Sequence, residues 1–403
     1  MAARKHHIIE SSQLFADVPV KPLAHTDADP IDKVEESGLV GMGGAGFPTF
    51  KKLTFGKGSE TVIANAAECE PLLEHNIARL ETDAAKVLSG LTIAMKTIGA
   101  KHGIVAIKPK NVHAVRSLQA VLDDAAAGKT AYEVDPNIEI AFIKDRYPAG
   151  DERAIVRDVL NNLLPPDAIP SAASAVVMNV ESLMRVHNAV VDNLAVTTKD
   201  LTVAGHIEGS GYSNDVSLVV YDVPIGLKVR DILEALHIHT PSDNEQILIG
   251  GPYMGLPGNL DSTISETCGG IIIGDPEIQD PGPMGIIVCA CGASEERLKS
   301  IVEAKGAPLV DIKLCKNAFR LPNGRLKCRN PGICPGQAQN IIALKKEGAT
   351  SVLISHCTDC SNTVMQVAPK MGMRVHHATD AFMRAGDEPI IRAFRKTGPV
   401  KTA

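Results

Sequence analysis

The sequence predicts an α/β protein in three units: a parallel sheet flanked by helices, a small β-rich unit with one helix, and a smaller cysteine-rich α/β unit. Three observations carry this reading. Over residues 61–190, short apolar runs alternate with segments of helical periodicity, the rhythm of strand–helix–strand crossovers and so of a parallel sheet. That rhythm gives way to closely spaced β runs after residue 195 and resumes beyond Pro281-Gly282-Pro283, a linker. Glycine and proline are abundant, at 34 and 25 residues, while aromatics make up only 3 %, which suits many tight turns around aliphatic cores.

Residues 1–30 read as irregular, and Asp29-Pro30 introduces a short helix over 31–37. Residues 61–65 (TVIAN) read as a buried strand. A single long helix follows over 74–99, with Ile77, Leu80, Ala84, Val87, Leu88 and Leu91 at helical spacing. Strands over 103–107 and 138–143 bracket a helix over 112–127. Ala149-Gly150-Asp151-Glu152 opens a helix to about 163, its acidic first turn favoured by the helix dipole, and Pro165-Pro166 stops it. A strand over 175–179 and a helix over 182–190 complete the unit. In the second unit, β runs at 201–203, 216–220 and 247–249 surround a helix over 227–236, and 263–274 returns to the same unit. The third places strands at 286–289, 309–314, 351–355 and 373–376 between helices at 294–304, 337–346 and 358–371. The expected domains are 1–194, 195–280 and 281–403.

A net charge of −6 without a long basic run disfavours nucleic-acid binding. No apolar stretch reaches the ~20 residues of a membrane span. The start, Met1-Ala-Ala-Arg-Lys-His-His, has no apolar core and does not read as a secretory signal, so a cytoplasmic protein is expected. Seven of the nine cysteines lie between Cys289 and Cys360. Without an export signal, that clustering points to redox or metal chemistry rather than a disulfide framework.

Four glycines and an alanine crowd Gly41 to Gly46. Such a run costs conformational entropy, and a common compensation is close approach of backbone N–H groups to a phosphate; the alternative is a plain surface loop. Asn65 to Pro71 and Tyr147 to Glu152 each follow a predicted strand. Ligands of open parallel sheets bind at the carboxyl ends of strands, so loops 41–51, 65–71, 147–152 and 178–181 are expected to converge on one crevice.

GMGGAGFPT, NAAECEP, YPAGDE and MNVES, in this order and spacing, resemble the flavin-binding subunit of respiratory complex I and its relative RnfC. IGGPYMG at 249–255 is similar to a GGPMMG segment of RnfC. The resemblance covers roughly residues 25–275 and implies an NADH-binding, FMN-containing domain followed by a β-grasp domain. It implies that Gly41, Gly43, Gly44, Ala45 and Gly46 wrap the FMN phosphate and ribityl chain, with Lys51 near the phosphate. Asn65 and Glu68 would contact the flavin, Glu70 the nicotinamide nucleotide, and Gly150, Asp151, Glu152 and Asn179 would complete the pocket. The alternative for Glu68 and Glu70 is a solvated loop. Met42 stands where complex I has Arg and Ala67 where it has Asp; RnfC varies at both places.

RnfC proteins continue into two clusters of CxxCxxCxxxCP type. Here the tail carries Cys289-Ala-Cys291, Cys315, Cys328, Cys334-Pro335 and His356-Cys357-Thr-Asp-Cys360 instead, which removes the main support for ferredoxin-like clusters. Cys357 and Cys360 lie between a predicted strand and a predicted helix. A CxxC there meets the helix N-terminus, which stabilises thiolate, and can cycle with a disulfide. An Fe–S cluster or zinc drawing on Cys289, Cys291, Cys315, Cys328 and Cys334 is the alternative, and inert packing the third. Cys69 and Cys268 read as local or core thiols, and His356 as a neighbour able to tune Cys357. Head and tail together resemble the PrdC family, electron-transfer proteins associated with D-proline reductase in amino-acid-fermenting bacteria. That implies electron flow from NADH through FMN to Cys357 and Cys360 and on to D-proline reductase or a similar amino-acid reductase. The rivals are an Fe–S electron-transfer protein of RnfC type and a non-catalytic, zinc-containing docking protein.

Overall fold

The structure, a computed structural model, describes residues 3–242, 244–355 and 357–391. The first strand, β1 (Lys5–Glu10), belongs to the sheet of the second unit, where the sequence suggested an irregular segment. The short helix α1 (Pro30–Glu36) starts on a proline whose missing N–H is no loss there, and α2 (Thr49–Gly56) follows the glycine loop. Next come β2 (Thr61–Ala66), α3 (His75–Thr82), α4 (Ala84–Ile98), β3 (His102–Ile107), α5 (Val112–Ala126), β4 (Ile138–Phe142), α6 (Glu152–Leu160), β5 (Ala175–Asn179) and α7 (Val180–Val190). The four strands form an all-parallel sheet in the order β4-β3-β2-β5. One face packs on Val34, Leu53, Leu88, Leu118 and Leu183, from α1, α2, α4, α5 and α7. The other packs Ile63, Ile104 and Val177 against Ile155 and Val156 of α6. Burial on both faces explains why these strands read as unbroken apolar runs.

The helix expected over 74–99 is two helices. Asp83 leaves helical geometry (φ −125°, ψ 29°). Its carboxylate accepts from Arg79 at 2.9 Å and Thr82 at 2.8 Å, a local alternative to the helix ladder.

The second unit holds β6 (Thr198–Gly205), β7 (Val216–Pro224), α8 (Val229–Ala235), β8 (Gln246–Ile249), β9 (Leu256–Gly258) and β10 (Gly270–Gly274), in a mixed sheet of order β1-β7-β6-β10-β8-β9. Ile232 and Leu233 of α8 pack on Leu201, Leu218 and Ile271 of this sheet. β6 begins three residues before the predicted run because Lys199 and Asp200 are buried charges that read as solvated ones. Arg79 donates to Asp200 through Nε at 2.6 Å and Nη2 at 2.9 Å and lies 3.5 Å over the Tyr221 ring. Lys199 pairs with Glu181, and Arg185 with Asp222 at 2.8 Å. This network clamps α3 and α7 onto β6 and β7.

The third unit comprises β11 (Met284–Val288), α9 (Glu295–Ala304), β12 (Leu309–Leu314), the hairpin β13 (Ala318–Arg320) and β14 (Leu326–Cys328), α10 (Ala338–Lys346), β15 (Ser351–Ile354), α11 (Thr358–Val367), β16 (Arg374–His377) and α12 (Asp380–Ala385). Its parallel sheet runs β12-β11-β15-β16. The buried Arg297 of α9 donates to the carbonyls of Pro252, Tyr253, Gly255 and Ala378 at 3.0–3.3 Å, fastening the third unit to the second. It is fastened to the first through the 147–153 segment. The Thr358 N–H donates to the Tyr147 carbonyl at 3.0 Å, and the Tyr147 N–H donates to Thr358 Oγ1 at 2.9 Å. Arg153 donates to the Cys328 carbonyl and to the Leu164 carbonyl. Tyr147 stacks on Tyr253 with centroids 3.7 Å apart. Among the described residues, no helix is long and apolar enough to cross a membrane.

Candidate functional site

In the first sheet the chain builds outward from β2 through β3 to β4 and then returns to place β5 on the other side of β2. The switch point therefore lies between β2 and β5, where ligands of such sheets bind. Asn65 and Asn179 face each other there in register. The four predicted loops do converge on this point. Asn65 Nδ2 donates to the Gly150 carbonyl at 2.9 Å, and Asn179 Nδ2 donates to Asn76 Oδ1 at 3.1 Å. Asn76 in turn donates to Glu68 at 2.9 Å.

The glycine loop arches over Asn179. Its Gly46 N–H donates to the Gly41 carbonyl at 3.1 Å, and the Met42 N–H donates to Ser182 Oγ at 2.9 Å. Met42 is itself buried in the first core, as is Ala67 in the second. Both departures from the complex I pattern thus face packing rather than the crevice. A Cβ on Gly43 would stand 3.2 Å from Asn179. Gly44 has φ +101° and open space where a Cβ would go. Among the described residues nothing accepts from the backbone N–H groups of Gly43, Gly44 or Ala45, and all three residues are exposed. A row of free amides with glycine clearance fits a phosphate such as that of FMN.

The other expected residues are placed as follows. Asp151 caps α6, accepting from the Arg153 and Ala154 N–H groups, and Asn179 caps α7 through the Ser182 N–H. Lys51 is exposed, with its amine 5.8 Å from the Phe50 ring centroid. The lysine that reaches the strand ends is Lys52, which donates to the Val177 carbonyl at 2.9 Å and to Glu152 at 2.6 Å. Sequence reasoning missed it, although it adjoins the residue chosen. Glu70 accepts from the Tyr253 and Met254 N–H groups at 2.7 and 2.9 Å, so it holds the 250–255 loop of the second unit. Gly251 is needed there, since its Cβ would come within 2.4 Å of the Glu70 carboxylate. Burial raises the Glu68 carboxyl and pushes that of Glu70 up to about 7. A cavity of about 180 Å³ opens beside these carboxylates, lined by Glu68, Cys69, Glu70, Lys108, Tyr147 and Thr358 among others. The glycine loop does not line it.

The tail cysteines sit directly behind that cavity. Cys289, Cys291, Cys315, Cys328, Cys357 and Cys360 share one core with Tyr147 and Tyr253, and Cys69 and Cys334 pack against it. Cys69, read as a local thiol, is thus the point where the crevice loop meets the cysteine unit. Cys357 and Cys360 do flank the start of α11, and burial, which pushes both thiols up, outweighs the lowering of Cys357 by the Cys360 backbone N–H. His356 lies outside the described residues. Among the described residues, no group of three or more His, Cys, Asp or Glu is arranged to hold a metal ion.

An open parallel sheet with a glycine loop of free amides at its switch point defines the class, a nucleotide- or flavin-binding α/β domain. Residues 34–188 match the family described as the Nuo51 FMN-binding domain. The chain is 34 % identical over 243 residues to the cobalamin reductase PduS of Citrobacter freundii, covering 60 % of this chain and 49 % of the relative. It is 29 % identical over 256 residues to a component of the Na+-translocating ferredoxin:NAD+ oxidoreductase complex of Acetobacterium woodii, covering 62 % and 54 %. Its fold is similar to a chain of an NAD+-reducing NiFe-hydrogenase in the H2-reduced state, with a TM-score of 0.51, 22 % identity and coverage of 67 % and 52 %. Residues 34–188 thus match the complex I FMN-binding domain family, and the chain is similar to RnfC-like proteins and to PduS over part of its length. It spans about half the length of the curated relatives it matches.

Proposed function

We propose that this chain is an NADH-dependent flavin/thiol electron-transfer protein. FMN, held at the 41–46 loop, supplies the hydride acceptor that side chains cannot provide. Asn65, Asn179 and the capped helices α6 and α7 position it. The unpaired amides of Gly43 to Ala45 neutralise its phosphate, with Lys52 nearby. Glu68 and Glu70 line the cavity open to the nicotinamide nucleotide. The electrons leave through the cysteines of the third unit, for which the sequence nominates Cys357 and Cys360. The recipient is a partner reductase; resemblance to the PrdC family suggests D-proline reductase or a similar amino-acid reductase.

One observation carries this reading. The cysteine-rich unit is seated on Tyr147, three residues from the Gly150 carbonyl that Asn65 holds at the crevice. A flavin at the crevice would then have these thiols in the adjoining unit of the same chain, and two-electron chemistry suits both. The test is to load the purified chain with FMN, record its visible spectrum before and after NADH, and count free thiols in each state. Bleaching of the flavin followed by new thiols supports the reading. Stoichiometric iron or zinc with no NADH-dependent thiols supports one of its metal-containing rivals.

A further inference from the structure

Six of the seven tail cysteines fall into two hydrogen-bonded groups of free thiols. Cys289 makes sulfur hydrogen bonds with Cys291, Cys315 and Cys328, while Cys334 and Cys360 bond to each other. The buried Gln337 amide bridges the groups, its Nε2 donating to Cys315 Sγ at 3.3 Å and to Cys334 Sγ at 3.4 Å. Asn340 donates to Gln337 Oε1 at 2.8 Å and so fixes which end of the amide faces the sulfurs. Thr363 Oγ1 lies 3.3 Å from Cys334 Sγ and donates to the Cys360 carbonyl at 3.0 Å, tying both cysteines to one turn of α11.

Accessibility separates the members. Of the seven, Cys334 alone is not fully buried. It lies on a turn whose Ile333, Pro335 and Gly336 are exposed. Cys357 is 4 % exposed and Cys360 1 % exposed.

We infer that Cys334 and Cys360 form the reversible disulfide of this protein, with Cys334 as the sulfur that exchanges with a disulfide on the electron acceptor. The inference refines the exit of the proposed circuit and rests on that reading only for its electron source. The Gln337 amide, donating to Cys334 Sγ, and the position of Cys334 outside the fully buried set favour it as the exchanging sulfur. Cys334 thiolate attacks the acceptor's S–S bond. One acceptor sulfur leaves and is protonated, and a mixed disulfide forms at Cys334. Cys360 loses its proton and attacks Cys334 Sγ, forming the Cys334–Cys360 bond and releasing the second acceptor sulfur as a thiol. Two electrons pass to the acceptor, and its two sulfurs gain two protons, one from Cys360 and one from solvent.

The test uses the full chain, reduced and then titrated with oxidised glutathione, blocked with N-ethylmaleimide and mapped by mass spectrometry. The expected product is a peptide pair joined through Cys334 and Cys360, absent from Cys334→Ser and retained in Cys357→Ser. On the reduced chain, site-resolved iodoacetamide labelling should be fastest at Cys334. Gln337→Leu, which leaves both thiols in place but removes the amide donor to Cys334, should slow that labelling several-fold. A Cys357–Cys360 linkage, a persistent glutathione adduct on Cys334, or zinc or iron held by these sulfurs overturns the inference. A Cys334–Cys360 bond that forms with glutathione yet ignores NADH overturns the upstream reading and leaves this pair standing.

Discussion

Replacing Gly44 with alanine separates the fold from the flavin site. At φ +101° an L-residue carries strain of about 1–2 kcal/mol. That strain is present with and without ligand, so it lowers stability but cancels from the dissociation constant. The added methyl is different: it meets no protein atom within 4 Å and projects into open space at the glycine loop. If it displaces a phosphate from one charge-assisted N–H bond, the loss is about 1.5–3 kcal/mol, or roughly ten- to hundredfold in FMN affinity. Gly58→Ala is the matched control, since Gly58 has φ +84° and equally open surroundings but lies outside the loop. Thermal unfolding should show both variants losing similar stability. Flavin fluorescence titration should show weakened binding only for Gly44→Ala. Equal FMN affinity in Gly44→Ala and the unaltered chain would refute the assignment of the loop.

Asp200→Ala should cost about 1.5–3 kcal/mol in denaturant unfolding, because it strips the bidentate partner from the buried Arg79, which keeps Asp83 and Asp222. Glu70 is protonated up to about 7 in the folded chain but releases its proton near 4.5 when unfolded, so stability falls as pH rises across that window. Its partial exposure trims the effect to about 1–2 kcal/mol, and Glu70→Gln should reduce that slope without abolishing it, since Glu74 is raised to about 7 as well. Arg297→Ala leaves four buried carbonyls without their donor, so NADH-driven thiol reduction should drop by tenfold or more while FMN titration stays unchanged.

The parallel sheet was legible because strands buried on both faces leave unbroken apolar runs and their helices keep a clear period. The crevice was legible because Asn65–Glu70, Tyr147–Glu152 and Asn179 follow or end a strand, while Gly41–Gly46 stands out by its glycine content alone. What escaped the sequence was tertiary. β1 has only Ile8 and Ile9 as apolar content and exists because β7 offers it an edge. Nothing in the sequence marks Lys199, Asp200, Glu181 and Arg185 as partners, yet they pair with one another inside the molecule. Lys52 could not be told from Lys51 without the pitch of α2. The helix-terminus argument for Cys357 and Cys360 was sound locally and lost to burial, a quantity that spacing does not carry. Cys334 gave no motif, because Gln337 lies just before α10 while Cys360 and Thr363 come from α11, far along the chain.

The central claim is that hydride entering at the glycine-loop crevice leaves as thiol. The direct measurement is an anaerobic titration of the FMN-loaded, disulfide-oxidised chain with NADH, following flavin absorbance and free thiols together. The account predicts transient bleaching of the flavin, its recovery, and about two new thiols per NADH consumed. A flavin that bleaches and stays reduced while the thiol count does not change would contradict it.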